Sequence, residues 1–255
     1  MKMPDYEFLK DAGRIFNSGQ TRSIALTGNI TDLFYCGSGE EGGYVPLIEL
    51  LVNRWAVNGT VIIIYELNGP IRFLNRADKQ KMRDAWGKLH KDEGQLSIDL
   101  ALARTRKRLE ELQQESDQTF DQNLKRAETN PTYALEFLRQ LCLCSRLRRE
   151  GVPCLWEDLL ILIEGADFLL PAGDIGHLSD VDRQRIAICR DWFSDPGYMT
   201  GGDSTVLLTE SRSLLNSKIA QLPQLLEVEI PAPDMMERSY LIRWFNKSLS
   251  ETARF

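Results

Sequence analysis

Apolar residues along this chain fall into short continuous runs, separated by longer stretches in which they recur at helical spacing. The clearest run is Leu159-Leu-Ile-Leu-Ile163, the pattern of a strand buried on both faces. Thr60-Val-Ile-Ile-Ile-Tyr65 is a second such run, rich in β-branched residues. Arg22-Ser-Ile-Ala-Leu-Thr27, Ser204-Thr-Val-Leu-Leu-Thr209 and Leu225-Leu-Glu-Val-Glu-Ile230 complete a set of five strands, around residues 23, 61, 159, 205 and 226. Helices are predicted between them. A short one covers 5–17, and Val45 to Trp55 carries Leu47, Leu50, Leu51 and Trp55 on one face. Residues 76–128 are charged and helical in pattern, with Leu102, Leu109 and Leu112 aligned. Thr129-Asn-Pro131 starts a helix that runs to Arg149, with Gly151 beyond it. Ser179 caps a helix reaching Phe193, Asp195-Pro-Gly197 turns, Leu214–Gln221 is a short helix, and Pro231–Arg238 leads into a last helix reaching Leu249.

Strands alternating with helices predict an α/β fold: a three-layer sandwich with a mainly parallel five-stranded sheet. One domain is expected, its first half at 1–75, a helical insertion at 76–128 and its second half at 129–255. The 76–128 helices either project as a hairpin toward a partner or pack flat on the sheet.

Charge and composition narrow the partners. The net charge is −6, from 37 acids against 31 bases, so no global field attracts nucleic acid or an anionic membrane. The basic cluster Arg104-Thr-Arg-Lys-Arg108 is followed directly by Glu110, Glu111, Glu115 and Asp117, as on a solvated helix laced by i,i+4 pairs. The apolar runs are too short to span a membrane, and Met1-Lys-Met-Pro-Asp-Tyr-Glu7 lacks the apolar stretch of a signal peptide. Five cysteines (Cys36, Cys142, Cys144, Cys154, Cys189) form no C-x-x-C pair, and Cys142 and Cys144 lie about 200° apart on a helix, so they are expected in its core. With only His90 and His177 available, a zinc site is not expected. The five tryptophans are too scattered for a stacking platform and are expected in the core or at domain contacts. The chain reads as cytoplasmic.

Chemistry is concentrated where the Leu159–Ile163 run ends. Glu164 and Asp167 follow it at the carboxyl end of the strand, where open α/β sheets place their ligands. Glu164-Gly-Ala-Asp-Phe-Leu-Leu-Pro171 is followed by Val206-Leu-Leu-Thr-Glu-Ser211, then Val228-Glu-Ile-Pro-Ala-Pro-Asp234, then Glu237-Arg-Ser-Tyr-Leu-Ile242. This series, over Leu159–Trp244, resembles the AAA+ ATPases in order and spacing. Those proteins carry D-E-A-D-x-L-L, T-T-N, V-P-x-P-D and E-R-x-x-I-L segments in the same succession. The resemblance implies a P-loop nucleoside-triphosphatase core. It also implies a nucleotide site at Gly28, Asn29, Thr31, Asp32, Glu164, Asp167 and Glu210, with Glu164 and Asp167 on the magnesium of a working enzyme.

The catalytic positions depart from that family. There is no G-x-x-x-x-G-K-[ST]: Gly87-Lys88 precedes Leu89 in a helical stretch. The loop Cys36-Gly-Ser-Gly-Glu-Glu-Gly-Gly43 instead carries Glu40 and Glu41, each of which would repel a triphosphate by about 1 kcal/mol or more. Gly165 occupies the place of the water-activating glutamate and can do no general-base chemistry; tight strand–helix packing is a second reading of it. Glu210 stands where the family has a polar sensor, and no arginine lies between Leu214 and Leu226, where Lys218 is the one base. These losses predict a degenerate module serving assembly, regulation or scaffolding, with a vestigial site and no cofactor. Its partner would be a protein or a downstream domain of the same protein. The alternatives are an active ATPase using ATP and Mg with an atypical phosphate loop, and a nucleic-acid-binding adaptor using 104–108. The family usually continues into a helical lid beyond the last core helix, so the chain either lacks one or is the first part of a longer protein.

Overall fold

The computed structural model describes residues 6–37, 42–56, 59–90, 106–149 and 151–252, with the side chains of 106–117 and 247–252 outside that description. Its central sheet has six strands in the order β10 (Leu225–Ile230), β1 (Ser23–Gly28), β9 (Ser204–Leu208), β8 (Asp158–Glu164), β4 (Thr60–Glu66) and β5 (Arg72–Phe73). The first five run parallel, and β8 lies in the interior as its apolar run requires. The sixth strand was not anticipated: β5 is two residues long and pairs antiparallel with β4 through Ile63–Phe73 and Ile64–Arg72.

Alternation along the strands builds two cores. Leu159, Ile161 and Ile163 of β8 join Val61, Ile63 and Tyr65 of β4 on one face, while Leu160, Leu162, Ile62 and Ile64 join Ile24 and Leu26 of β1 on the other. The second face is covered by α1 (Glu7–Ser18), through Phe8 and Ala12, and by α2 (Leu47–Trp55), through Leu47, Leu50 and Leu51. The first is covered by α3 (Arg76–His90), α4 (Arg106–Thr129), α5 (Pro131–Arg146), α6 (Ala166–Leu169), α7 (Asp180–Phe193), α8 (Pro196–Thr200) and α9 (Ser217–Ala220). A last helix, α10 (Met235–Thr252), follows β10. Helices on both faces of a mostly parallel sheet make the three-layer α/β sandwich.

Local signals explain the helix starts. Asn130 accepts from the Tyr133 amide with Pro131 at the first helical position, Ser179 accepts from the Asp182 amide, and Asp195 caps α8 where a simple turn was expected. Asp234 and Glu237 exchange side-chain and backbone hydrogen bonds at 2.8 and 2.9 Å, a capping box that starts α10.

Other boundaries differ. The helix expected from Val45 begins at Leu47, because Gly43–Pro46 forms β3 and pairs antiparallel with β2 (Leu33–Cys36). The helix expected to reach Arg149 ends at Arg146, and Arg148–Arg149 (β6) pairs with Val152–Pro153 (β7) around the left-handed Gly151. Leu214–Gln221 divides into a 3-10 turn at Arg212–Leu214 and α9. Within 76–128, Met82, Ala85, Trp86, Phe120 and Leu124 share the core of α5 and the sheet, so the described parts lie flat on it. Cys142 and Cys144 are buried in that core. Trp86 and Trp192 are core residues, but Trp156 is 77% exposed, because it precedes β8 outside either core. Among the described residues no helix is long and apolar enough to cross a membrane.

Candidate functional site

Three consecutive parallel strands, β1, β9 and β8, bring their carboxyl ends together, and with them Gly28, Glu210 and Glu164. A cleft of about 330 Å³ opens there, lined by Ile30, Thr31, Leu47, Glu164, Asp167, Phe168 and Glu210 among others. Four of the seven expected residues (Thr31, Glu164, Asp167, Glu210) therefore share one cavity. Asn29 and Asp32 line a second cavity, of about 540 Å³, between α1, β2 and the start of α10. Gly28 lines neither.

The backbone leaving β1 is tied down. Gly28 donates its amide to the Glu210 carbonyl at 3.0 Å, Asn29 to the Ile230 carbonyl at 3.0 Å, and Ile30 to the Gly28 carbonyl at 2.8 Å. Gly28 has φ +92°, and a Cβ there would stand 2.5 Å from the Ile230 oxygen, so only glycine allows β1 and β10 to approach so closely. The chain then enters β2 instead of a helix. When α2 does begin, after β3, Pro46 stands at its N-cap and no side chain caps it.

On the β8 side, Glu164 is held by the edge strand that the sequence did not reveal. Arg72 of β5 donates to Glu164 Oε1 at 2.7 Å. Burial raises the Glu164 pKa, Arg72 opposes that shift, and Glu66, its register partner on β4, adds to it. Gly165 adopts the left-handed conformation (φ 58°, ψ 46°) as the cap of α6, and a Cβ would lie 3.0 Å from Phe168. The requirement for glycine is thus backbone conformation more than packing.

Arg212 lies two residues before the stretch searched for an arginine. Its guanidinium is internal in role: Nε donates to the Ala220 carbonyl at 2.8 Å, Nη2 reaches the Leu225 carbonyl at 3.3 Å, and Nη1 is 3.6 Å from Glu227. Among the described residues no group of three or more His, Cys, Asp or Glu is placed to hold a metal ion. Glu40, Glu41 and Arg104 lie outside the described residues, as do the side chains of Arg106, Lys107 and Arg108.

A family model described as "AAA+ chaperone, N-terminal Rossmann-like domain" matches residues 7–231. Among solved structures, the chain is similar to a chain of the HORMA:CdnC:Trip13 complex of E. coli MS115-1, with 12% identity and a TM-score of 0.44, over 93% of this chain. It spans 59% of the length of that neighbour. No curated protein matches it.

Proposed function

The chain belongs to the family of AAA+ chaperone N-terminal Rossmann-like domains, and from that premise we propose that it is an assembly, regulatory or scaffolding module with a vestigial nucleotide cleft. The observation that carries this reading is the engagement of the three amides after β1. A phosphate cradle needs unpaired backbone N–H donors and a cation beside them. Here Gly28, Asn29 and Ile30 already donate within the protein. The charged side chains in the cleft are carboxylates, Glu164, Asp167 and Glu210, and Arg72, which reaches Glu164 from β5, is already paired with it. These residues do not fit a magnesium–nucleoside triphosphate.

The partner is a protein or a further domain of the same protein. Met235, Met236, Ile242 and Phe245 of α10 expose 53–85% of their surface, which suits a helix that another surface covers. Five free thiols suit a reducing, cytoplasmic setting. An active ATPase would require Glu164 to leave Arg72 and take up the metal together with Asp167. Purified chain is therefore expected to hydrolyse ATP at background, with or without Arg72→Ala. Robust turnover that disappears in Glu164→Ala would overturn the reading and install the ATPase in its place.

A further inference from the structure

The amino ends of β8 and β9, at the end of the sheet opposite the acidic cleft, meet the last turn of α5 at a buried carboxyl group, Asp203. Asp203 Oδ1 accepts from the Leu159 amide of β8 at 2.8 Å, and Oδ2 lies 2.7 Å from Ser145 Oγ of α5. The same hydroxyl lies 3.2 Å from the Cys142 carbonyl. Each element packed around Asp203 brings its own groups. From α5 come Arg146, Cys142 and Cys144, from β8 comes Asp158, whose carboxylate lies against Gly202, and from α8 comes Tyr198. Arg146 is the cation among them, and it is committed elsewhere: Nη1 to Asp195 at 2.5 Å and Nε to the Cys142 carbonyl at 2.9 Å. Burial raises both thiols and the phenol, so they stay neutral.

A hydroxyl carries one hydrogen, and an ionised carboxylate only accepts. With Asp203 ionised, the Ser145 hydrogen goes to Oδ2 and none is left for the Cys142 carbonyl. With a proton on Oδ2, Asp203 donates to Ser145 Oγ and Ser145 donates onward to Cys142, so the contacts to Leu159, Ser145 and Cys142 are all satisfied together. Burial favours the protonated form, outweighing the Ser145 and Leu159 donors, and Asp158 adds to it; the carboxyl is pushed up to about 6. We propose that Asp203 and Ser145 form a proton-operated latch that fastens the last turn of α5 to the amino end of β8. The latch is closed below about pH 6. Above it the proton passes to solvent, water reaches the buried charge past the half-buried Ser145, and the end of α5 loosens. The hairpin β6–β7 follows that turn directly, so the device acts there and does not depend on whether the acidic cleft binds a nucleotide.

Amide hydrogen exchange of the whole chain at about pH 5 and about pH 7, corrected for the intrinsic pH dependence of exchange, tests this. Protection of the last turn of α5 and of Leu159 is expected to fall about tenfold, because the ratio of charged to neutral carboxyl rises tenfold for each unit of pH. Over the same range α7, which shares the core of α5, should keep its protection. Asp203→Asn retains an acceptor for Leu159 and an N–H donor for Ser145 without the charge, and should stay protected at both pH values. Ser145→Ala breaks the relay and should show at the lower pH the weaker protection that the parent shows at the higher. Should Asp203→Asn fail to fold, a carboxyl-carbon NMR titration of Asp203 in the parent decides: a midpoint near 6 supports the latch, and one near the ordinary value of about 4 overturns it. Protection of the α5 end that is indifferent to pH, a pH dependence that survives in Asp203→Asn, or an equal loss in α7 would overturn it as well.

Discussion

Two parts of this sheet's carboxyl end differ in how they are built. β8, β9 and β10 stop at residues matching the AAA+ order: Glu164, Glu210 and the Pro231–Asp234 segment that leads into α10. β1, which lies between β9 and β10, instead leads into the antiparallel pair β2–β3, and α2 starts only afterwards. Both parts rest on the same two cores, yet only the first keeps the succession of segments that resembles the family. The difference teaches that the cleft adds little to the stability of the scaffold. The buried positions are in the strands, and the carboxyl-end loops can be rebuilt without disturbing them.

Substitutions should grade accordingly. Leu162, fully buried in β8, should cost about 2–5 kcal/mol as Leu162→Ala, read by chemical denaturation. A smaller cost would mean that the strand is less central than described. Next comes Asp203, buried before β9, which accepts from Ser145 Oγ at 2.7 Å and from the Leu159 amide at 2.8 Å. Burial pushes its carboxyl up to about 6. The folded state then holds a proton that the unfolded chain has released between about pH 4 and 6. Stability contributed by that protonation is full below about pH 4 and is lost as pH rises through about 6, up to about 3 kcal/mol in all. Asp203→Asn should flatten this slope in denaturation curves taken from pH 4 to 7; an unaltered slope would assign it to another group. Gly165→Glu should cost about 1–2 kcal/mol, because a side chain is forced into the left-handed region, and should bring no turnover. At the small end, Glu210→Gln, on the exposed rim of the cleft, should stay within about 0.5 kcal/mol of the parent.

The strands that carry the fold were legible because a sheet covered on both faces demands unbroken apolar runs, and β4, β8 and β9 supply them. β5 was not legible. Two residues hold no periodicity, and Arg72 reveals its role only once Phe73 and Ile63 pair and bring it beside Glu164. The β2–β3 pair had a signal in Phe34, Tyr35, Tyr44 and Val45, aromatic and β-branched residues at strand spacing, but the glycines between them read as the approach to a helix. At the site, the absent lysine, glutamate and arginine could be read one position at a time. The engaged amides of Gly28 and Asn29 could not, because their acceptors, Glu210 and Ile230, are distant in the chain and come near only through the sheet; the Ile30 amide turns back to the Gly28 carbonyl. The same holds for Arg212, whose carbonyl partners are set by the turn before β10.

The most direct test of the central claim, that this cleft no longer holds a nucleotide, is the melting temperature of the chain with and without millimolar Mg-ATP. A ligand present at a hundred times its Kd adds about 2.7 kcal/mol, which for a chain of this size is a rise of about 5–10 °C. The account predicts no rise. An upward shift of that size, abolished by Glu164→Ala, would contradict it.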